Sequence, residues 1–109
     1  MDIRKILPSD FQKIRSLLPE EDEVSFLGYR KTKKGFEKFL IVNGDKCFLI
    51  EEDGEIIQYI LSAKDRGNNH IIATGGDIRK GSAKTSKKLE RLAIRAIRKE
   101  DTRENVHIA

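Results

Sequence analysis

Phe36-Glu37-Lys38-Phe39-Leu40-Ile41-Val42, followed by Asn43-Gly44 and then Cys47-Phe48-Leu49-Ile50, is the stretch on which the fold turns. Four consecutive apolar residues, Phe39 to Val42, predict a strand covered on both faces. Asn-Gly is a strong hairpin signal because both residues tolerate positive φ, so Cys47 to Ile50 is expected to pair back on it. Upstream, Val24 to Lys31 reads as an earlier strand turned by the basic, glycine-containing stretch Thr32 to Gly35. Downstream, Asp53-Gly54 marks a second hairpin into a strand over Ile56 to Leu61. After a polar loop, Ser62 to Asn69, a short fifth strand covers Ile71 to Ala73. Tight turns imply antiparallel pairing, since parallel strands need long crossovers.

Helices flank this meander of about five strands. Asp2 to Leu7 reads as a short extended piece. Pro8 and the Ser9–Gln12 spacing then signal a helix start, with Phe11, Ile14, Leu17 and Leu18 on one face. Pro19 and the acidic run at 20–23 stop it. Lys87 to about Lys99 predicts an amphipathic helix with Leu89, Leu92, Ala93 and Ala96 toward the sheet. From Asp101 onward no pattern emerges, and the tail is expected to be loose. The fold class is therefore α+β: an N-terminal helix, an antiparallel sheet and a C-terminal helix packed on it. Two helices cover one face of such a sheet, which predicts a homodimer through the other.

The 109 residues fit a single domain over 1–109, with no linker or repeat. A hydrophobic content of 38% suffices for one modest core without staples. The single cysteine, Cys47, excludes an intramolecular disulfide and fits a reducing, cytoplasmic setting. One Cys and two His argue against a metal site. No apolar run approaches the roughly 20 residues of a membrane span, and no signal-peptide core opens the chain.

Charge is unevenly shared. Residues 1–78 hold 12 basic and 14 acidic side chains, and residues 79–109 hold 10 and 4, so the positive excess lies in the last third. Lys87, Arg91, Arg95 and Arg98 fall within about 80° of one another on the predicted helix, with Ile94 beside them. Arg30, Lys31, Lys33 and Lys34 form a secondary basic patch at the first hairpin, with Lys38 nearby. Together these make a possible electrostatic footprint for phosphates.

The segment Gly75-Gly76-Asp77-Ile78-Arg79-Lys80-Gly81-Ser82-Ala83-Lys84-Thr85 joins a short strand to a helix. A helix start offers unpaired N–H groups and the positive end of the dipole, and glycines let an anion approach. Arg79, Lys80, Gly81, Ser82, Ala83 and Lys84 are therefore the candidate phosphate-binding residues, with Lys87, Arg91, Arg95 and Arg98 continuing the basic stripe. Gly76-x4-Gly81 has P-loop spacing, but Ser82-Ala83 stands where Lys-Ser/Thr belongs, so a nucleotide hydrolase is rejected.

The opening Ile3-Arg4-Lys5-Ile6-Leu7-Pro8-Ser9-Asp10-Phe11, with Ile14 and Leu17-Leu18, resembles the first strand and helix of the GNAT superfamily of N-acetyltransferases. The order of antiparallel strands and then a glycine-containing loop into a helix is similar too. That superfamily carries Arg/Gln-x-x-Gly-x-Gly/Ala in the loop, whose amides hold the coenzyme A pyrophosphate. Arg79-Lys80-Gly81-Ser82-Ala83 matches it with one residue missing between the arginine and Gly81. The resemblance covers the N-terminal half of that fold. It implies that Gly81, Ser82, Ala83 and Lys84 take the pyrophosphate, with coenzyme A as ligand. It supplies no catalytic residue.

Individual residues add little chemistry. Cys47 in an apolar strand reads as a buried, inert thiol. His70 lacks an identifiable partner and reads as a loop histidine. Glu51, Glu52, Asp53 and Glu55 read as a solvated hairpin tip. Tyr29, Phe26 and Phe36 could stack on bases, but with only seven aromatics in the chain they are expected in the core. Taken alone, the sequence favours a non-enzymatic binding module for a phosphate-bearing ligand, nucleic acid first, needing no cofactor. The alternatives are a GNAT-like acyl-CoA binder or reduced acetyltransferase, and a protein-interaction domain docking through Ile94.

Overall fold

A computed structural model describes residues 2–17, 28–64, 67, 69–76 and 83–108, with side chains in the last helix described to residue 100. In chain order the elements are β1 (Asp2–Lys5), a 3-10 turn (Pro8–Asp10), α1 (Phe11–Leu17) and α2 (Lys33–Asn43). A second 3-10 turn (Gly44–Lys46), β2 (Phe48–Glu52), β3 (Glu55–Lys64), β4 (His70–Gly76) and α3 (Ala83–Ile108) complete them. The sheet order is β1-β2-β3-β4, antiparallel throughout. The class is α+β as expected, with four strands among the described residues instead of five.

The largest correction falls on the stretch from Phe36 to Gly44, which is helix α2 and not a strand and hairpin. Thr32 caps it, its hydroxyl accepting from the Gly35 N–H at 3.1 Å. Phe36, Phe39 and Asn43 are buried and Leu40 half-buried, the i, i+3, i+4, i+7 face of a helix. Ile41 and Val42, which a doubly covered strand would bury, are 84% and 64% exposed. The apolar run hid a helical period because two β-branched residues lie on its outer face. Residues 18–27, which carry the first half of the strand expected over Val24 to Lys31, lie outside the described residues, and the second half, Gly28 to Lys31, holds no strand element. The fourth strand is instead β1, the piece read only as extended.

The first helix also starts differently. Asp10, not the Ser9–Gln12 pair, provides the cap: its carboxylate accepts from the Leu7 N–H at 2.8 Å. The same carboxylate takes two hydrogen bonds from the Arg4 guanidinium, both 2.8 Å, and Arg4 also reaches Glu51 at 3.0 Å. Arg4 thereby ties β1, the first turn and β2, and holds the Asp10 carboxyl below its ordinary value of 3.8. A carboxyl with a depressed folded pKa stabilises fully above its unfolded value and stops doing so as pH falls through the folded one. Asp10→Asn should therefore be least stable relative to the parent near pH 7. The gap should narrow in denaturant melts as pH falls below the ordinary carboxyl value, and close once Asp10 is protonated in the folded protein as well.

Asp53 (φ 52°) and Gly54 (φ 79°) form the expected positive-φ hairpin between β2 and β3. β3 runs on through Lys64, into the expected loop, and is buried along most of its length. One residue of β3, Ile57, has no partner in β2: Ile50 pairs with Gln58 and Glu51 with Ile56. This bulge resets the alternation of side chains. Ile56, Tyr59, Leu61 and Ala63 join one core with Phe11, Ile14, Phe36 and Phe39. Ile57 and Ile60 join the other with Leu89 and Ala93 of α3. Helices α1 and α2 thus cover one face of the sheet and α3 the other. The face expected to pair in a homodimer carries α3 over β2 and β3.

Helix α3 begins at Ala83 and continues to Ile108, so residues 101–108, expected to be loose, are helical. Cys47 is fully buried, its thiol donating to the Asn43 carbonyl at 3.3 Å and pushed up to about 11 by burial. That is the inert cysteine the sequence suggested.

Candidate functional site

Strand β4 ends in Thr74-Gly75-Gly76, and the described chain resumes at Ala83, the start of α3. Both glycines are sterically required. A Cβ on Gly75 would collide with the Tyr59 hydroxyl, and one on Gly76, at φ +134°, with the Ile57 carbonyl oxygen. Gly76 pairs with Gln58, next to the bulged Ile57. The bulge also places Gln58 on the α3 side of the sheet. There its amide nitrogen donates to the Ser86 hydroxyl at 3.1 Å, while its carbonyl accepts from the Thr85 hydroxyl. The first turn of α3 is thus fixed to β3 by a side-chain clamp, beside the end of β4.

A concavity of about 310 Å³ lies between the two, lined by Gln58, Tyr59, Thr74, Gly75, Gly76 and Ser86. Burial raises the Tyr59 phenol, so it stays a neutral donor. Lys84, Lys87 and Lys88 are exposed on the adjoining turns of α3. The geometry can hold an anion by amides and helix dipole, with ammonium groups at the rim.

Of the residues singled out from sequence, Ala83 and Lys84 form the opening of α3. Arg79, Lys80, Gly81 and Ser82 lie outside the described residues. Lys87, Arg91, Arg95 and Arg98 do share the outer side of α3, and Ile94 beside them is 42% exposed. The secondary patch is elsewhere. Arg30, Lys31, Lys33 and Lys34 surround the start of α2, where Tyr29, Arg30 and Lys38 border a shallow depression of about 690 Å³. Since α2 and α3 cover opposite faces of the sheet, the two patches do not form one continuous footprint. Phe36 is core, ring to ring with Phe11 at 5.5 Å, and Tyr29 packs edge-on against Phe39. Neither is presented as a stacking platform. Phe26 lies outside the described residues. His70 opens β4 instead of sitting in a loop.

Gln58, Tyr59, Thr85 and Ser86 were missed from sequence. Only the bulge, which leaves no signature in the apolar run Ile56-Ile57, turns Gln58 toward the helix. Among the described residues no group of three or more His, Cys, Asp or Glu could hold a metal, and no helix is long and apolar enough to cross a membrane.

Neither a family model nor a curated protein sequence matches this chain. Among solved structures it is similar to the crystal structure of ribosomal-protein-alanine N-acetyltransferase from Brucella melitensis. The TM-score is 0.63 at 12% identity, over 92% of this chain and 68% of that one. At that identity the likeness is one of fold.

Proposed function

We propose that this protein binds an acyl-coenzyme A, taking the pyrophosphate on the turn between β4 and α3. One observation carries the reading: a glycine pair closed by β3 leads into a helix start clamped by Gln58, on a GNAT-like fold. Gly81, Ser82, Ala83 and Lys84 are assigned to the pyrophosphate, their N–H groups donating to its oxygens, with Arg79, Lys80 and Lys87 adding charge. Binding of this kind needs no acceptor side chain from the protein and draws on the helix dipole. The proposal replaces nucleic acid as the favoured ligand, because that reading drew on two basic patches that the sheet separates.

Calorimetric titration with coenzyme A tests it. Gly81→Asp places a carboxylate where the pyrophosphate would lie and should weaken binding by on the order of 100-fold, about 2.7 kcal/mol. Unchanged affinity in that variant, or no heat with the parent protein, would overturn the assignment.

A second reading rests on the exposed row Lys87, Arg91 and Arg95 along α3. If that row binds nucleic acid, oligonucleotide affinity should fall steeply with salt and should disappear on charge reversal at Arg91 and Arg95.

A further inference from the structure

The β1 edge of the sheet holds a further cavity, at the edge opposite the end of β4, of about 480 Å³. It lies between the 3-10 turn Gly44–Lys46 and the second half of the described part of α3. Its volume falls within the roughly 300–1,000 Å³ of small-molecule sites.

Lys46 forms its inner wall and is only 3% exposed. Its Nζ lies 2.8 Å from Oε2 of Glu100, an ion-pair distance, yet neither atom makes a hydrogen bond of acceptable geometry. A buried ammonium has three N–H groups to satisfy, and leaving them unfilled is costly. At the rim, Lys5 is already paired with Asp45 at 3.1 Å. Arg95 and Lys99 also line the cavity, so four cations face two carboxylates, each of which already has a cation. Among the described residues the lining holds two more cations than carboxylates. The remaining wall is apolar, chiefly Phe48 and Leu92.

We propose that this cavity is a binding site for a small phosphate monoester carrying an apolar body. Arg95 and Lys99 hold the phosphate, the buried Lys46 charge lies behind it, and Phe48 and Leu92 pack against the body. A dianion matches the excess of cations, and its oxygens accept from the exposed Arg95 and Lys99 side chains. A neutral apolar ligand would leave that excess as it is, and inorganic phosphate would leave the apolar wall uncovered. The site shares no residue with the β4 turn, so it stands or falls independently of coenzyme A binding.

Phenyl phosphate, titrated into the full chain and followed by backbone amide shifts, tests the proposal, with phenol as the uncharged control. Saturable shifts at Asp45 to Phe48 and Leu92 to Glu100 are expected, with none from phenol. Arg95→Gln, an exposed position, should weaken binding at least about tenfold, and Lys46→Met more. Should Lys46→Met fail to fold, Arg95→Gln together with Lys99→Gln decides the matter. Shifts confined to Gly75, Gly76 and Ala83 to Lys88 would overturn the proposal, as would unchanged affinity in the Arg95→Gln protein or no saturable response.

Discussion

Gly76→Ala should destabilise the protein by about 2–4 kcal/mol and abolish coenzyme A binding by the fraction that remains folded. Two costs combine at this position. A side chain is strained at φ +134°, and its Cβ would strike the Ile57 carbonyl oxygen. Relief requires moving β4 away from β3, and that movement opens the turn leading to α3. Gly54→Ala is the control. It also has positive φ, +79°, but open space around it, so it should cost only about 1 kcal/mol. Urea melts of the two variants separate backbone strain from collision. Equal losses would mean that Gly76 is not packed on β3 as described.

Phe39→Ala should cost about 3–5 kcal/mol, a large part of the 5–15 kcal/mol that a domain typically has. Phe39 is fully buried between α2 and the sheet, edge-on to Tyr29. Ile41→Ala, two residues on, should change stability by no more than about 0.5 kcal/mol, because Ile41 is 84% exposed. The contrast is diagnostic for the helix. A strand places residues 39 and 41 on the same face, and the two substitutions would then cost similar amounts.

That comparison also marks where local reasoning from the sequence failed. An apolar run of four fits a buried strand and a buried helical turn alike, and the following Asn43-Gly44 tipped the choice toward a hairpin. The deciding information was the pattern at Phe36, Phe39, Leu40 and Asn43, together with the capping threonine just ahead of it. Asp53-Gly54 succeeded where Asn43-Gly44 did not. Its flanking strands are one continuous antiparallel pair, whereas Asn43-Gly44 follows a helix and continues into a 3-10 turn.

The α3 face was legible because Leu89 and Ala93 are spaced by one turn and buried together. The helix beyond residue 100 was not, since its charged and polar residues carry no apolar period. For the candidate site, the strand–glycine–helix succession could be read directly, as could the ammonium groups at its rim. Its scaffold could not. Gln58 reaches Thr85 and Ser86 only because Ile57 is a bulge, a property of register between two strands. The cavity behind Lys46 was equally hidden. Nothing local distinguishes Lys46 from the other lysines, and its burial depends on a helix some fifty residues later in the chain.

The most direct measurement is a backbone amide titration with coenzyme A, first at low salt and then at high salt. The account predicts shifts at Gly75, Gly76 and Ala83 to Lys88 that persist at high salt, since under the proposed binding backbone amides at the start of α3 hold the pyrophosphate more than exposed lysines do. Shifts spread along Lys87, Arg91, Arg95 and Arg98 that vanish with salt would contradict it and point to a general polyanion surface.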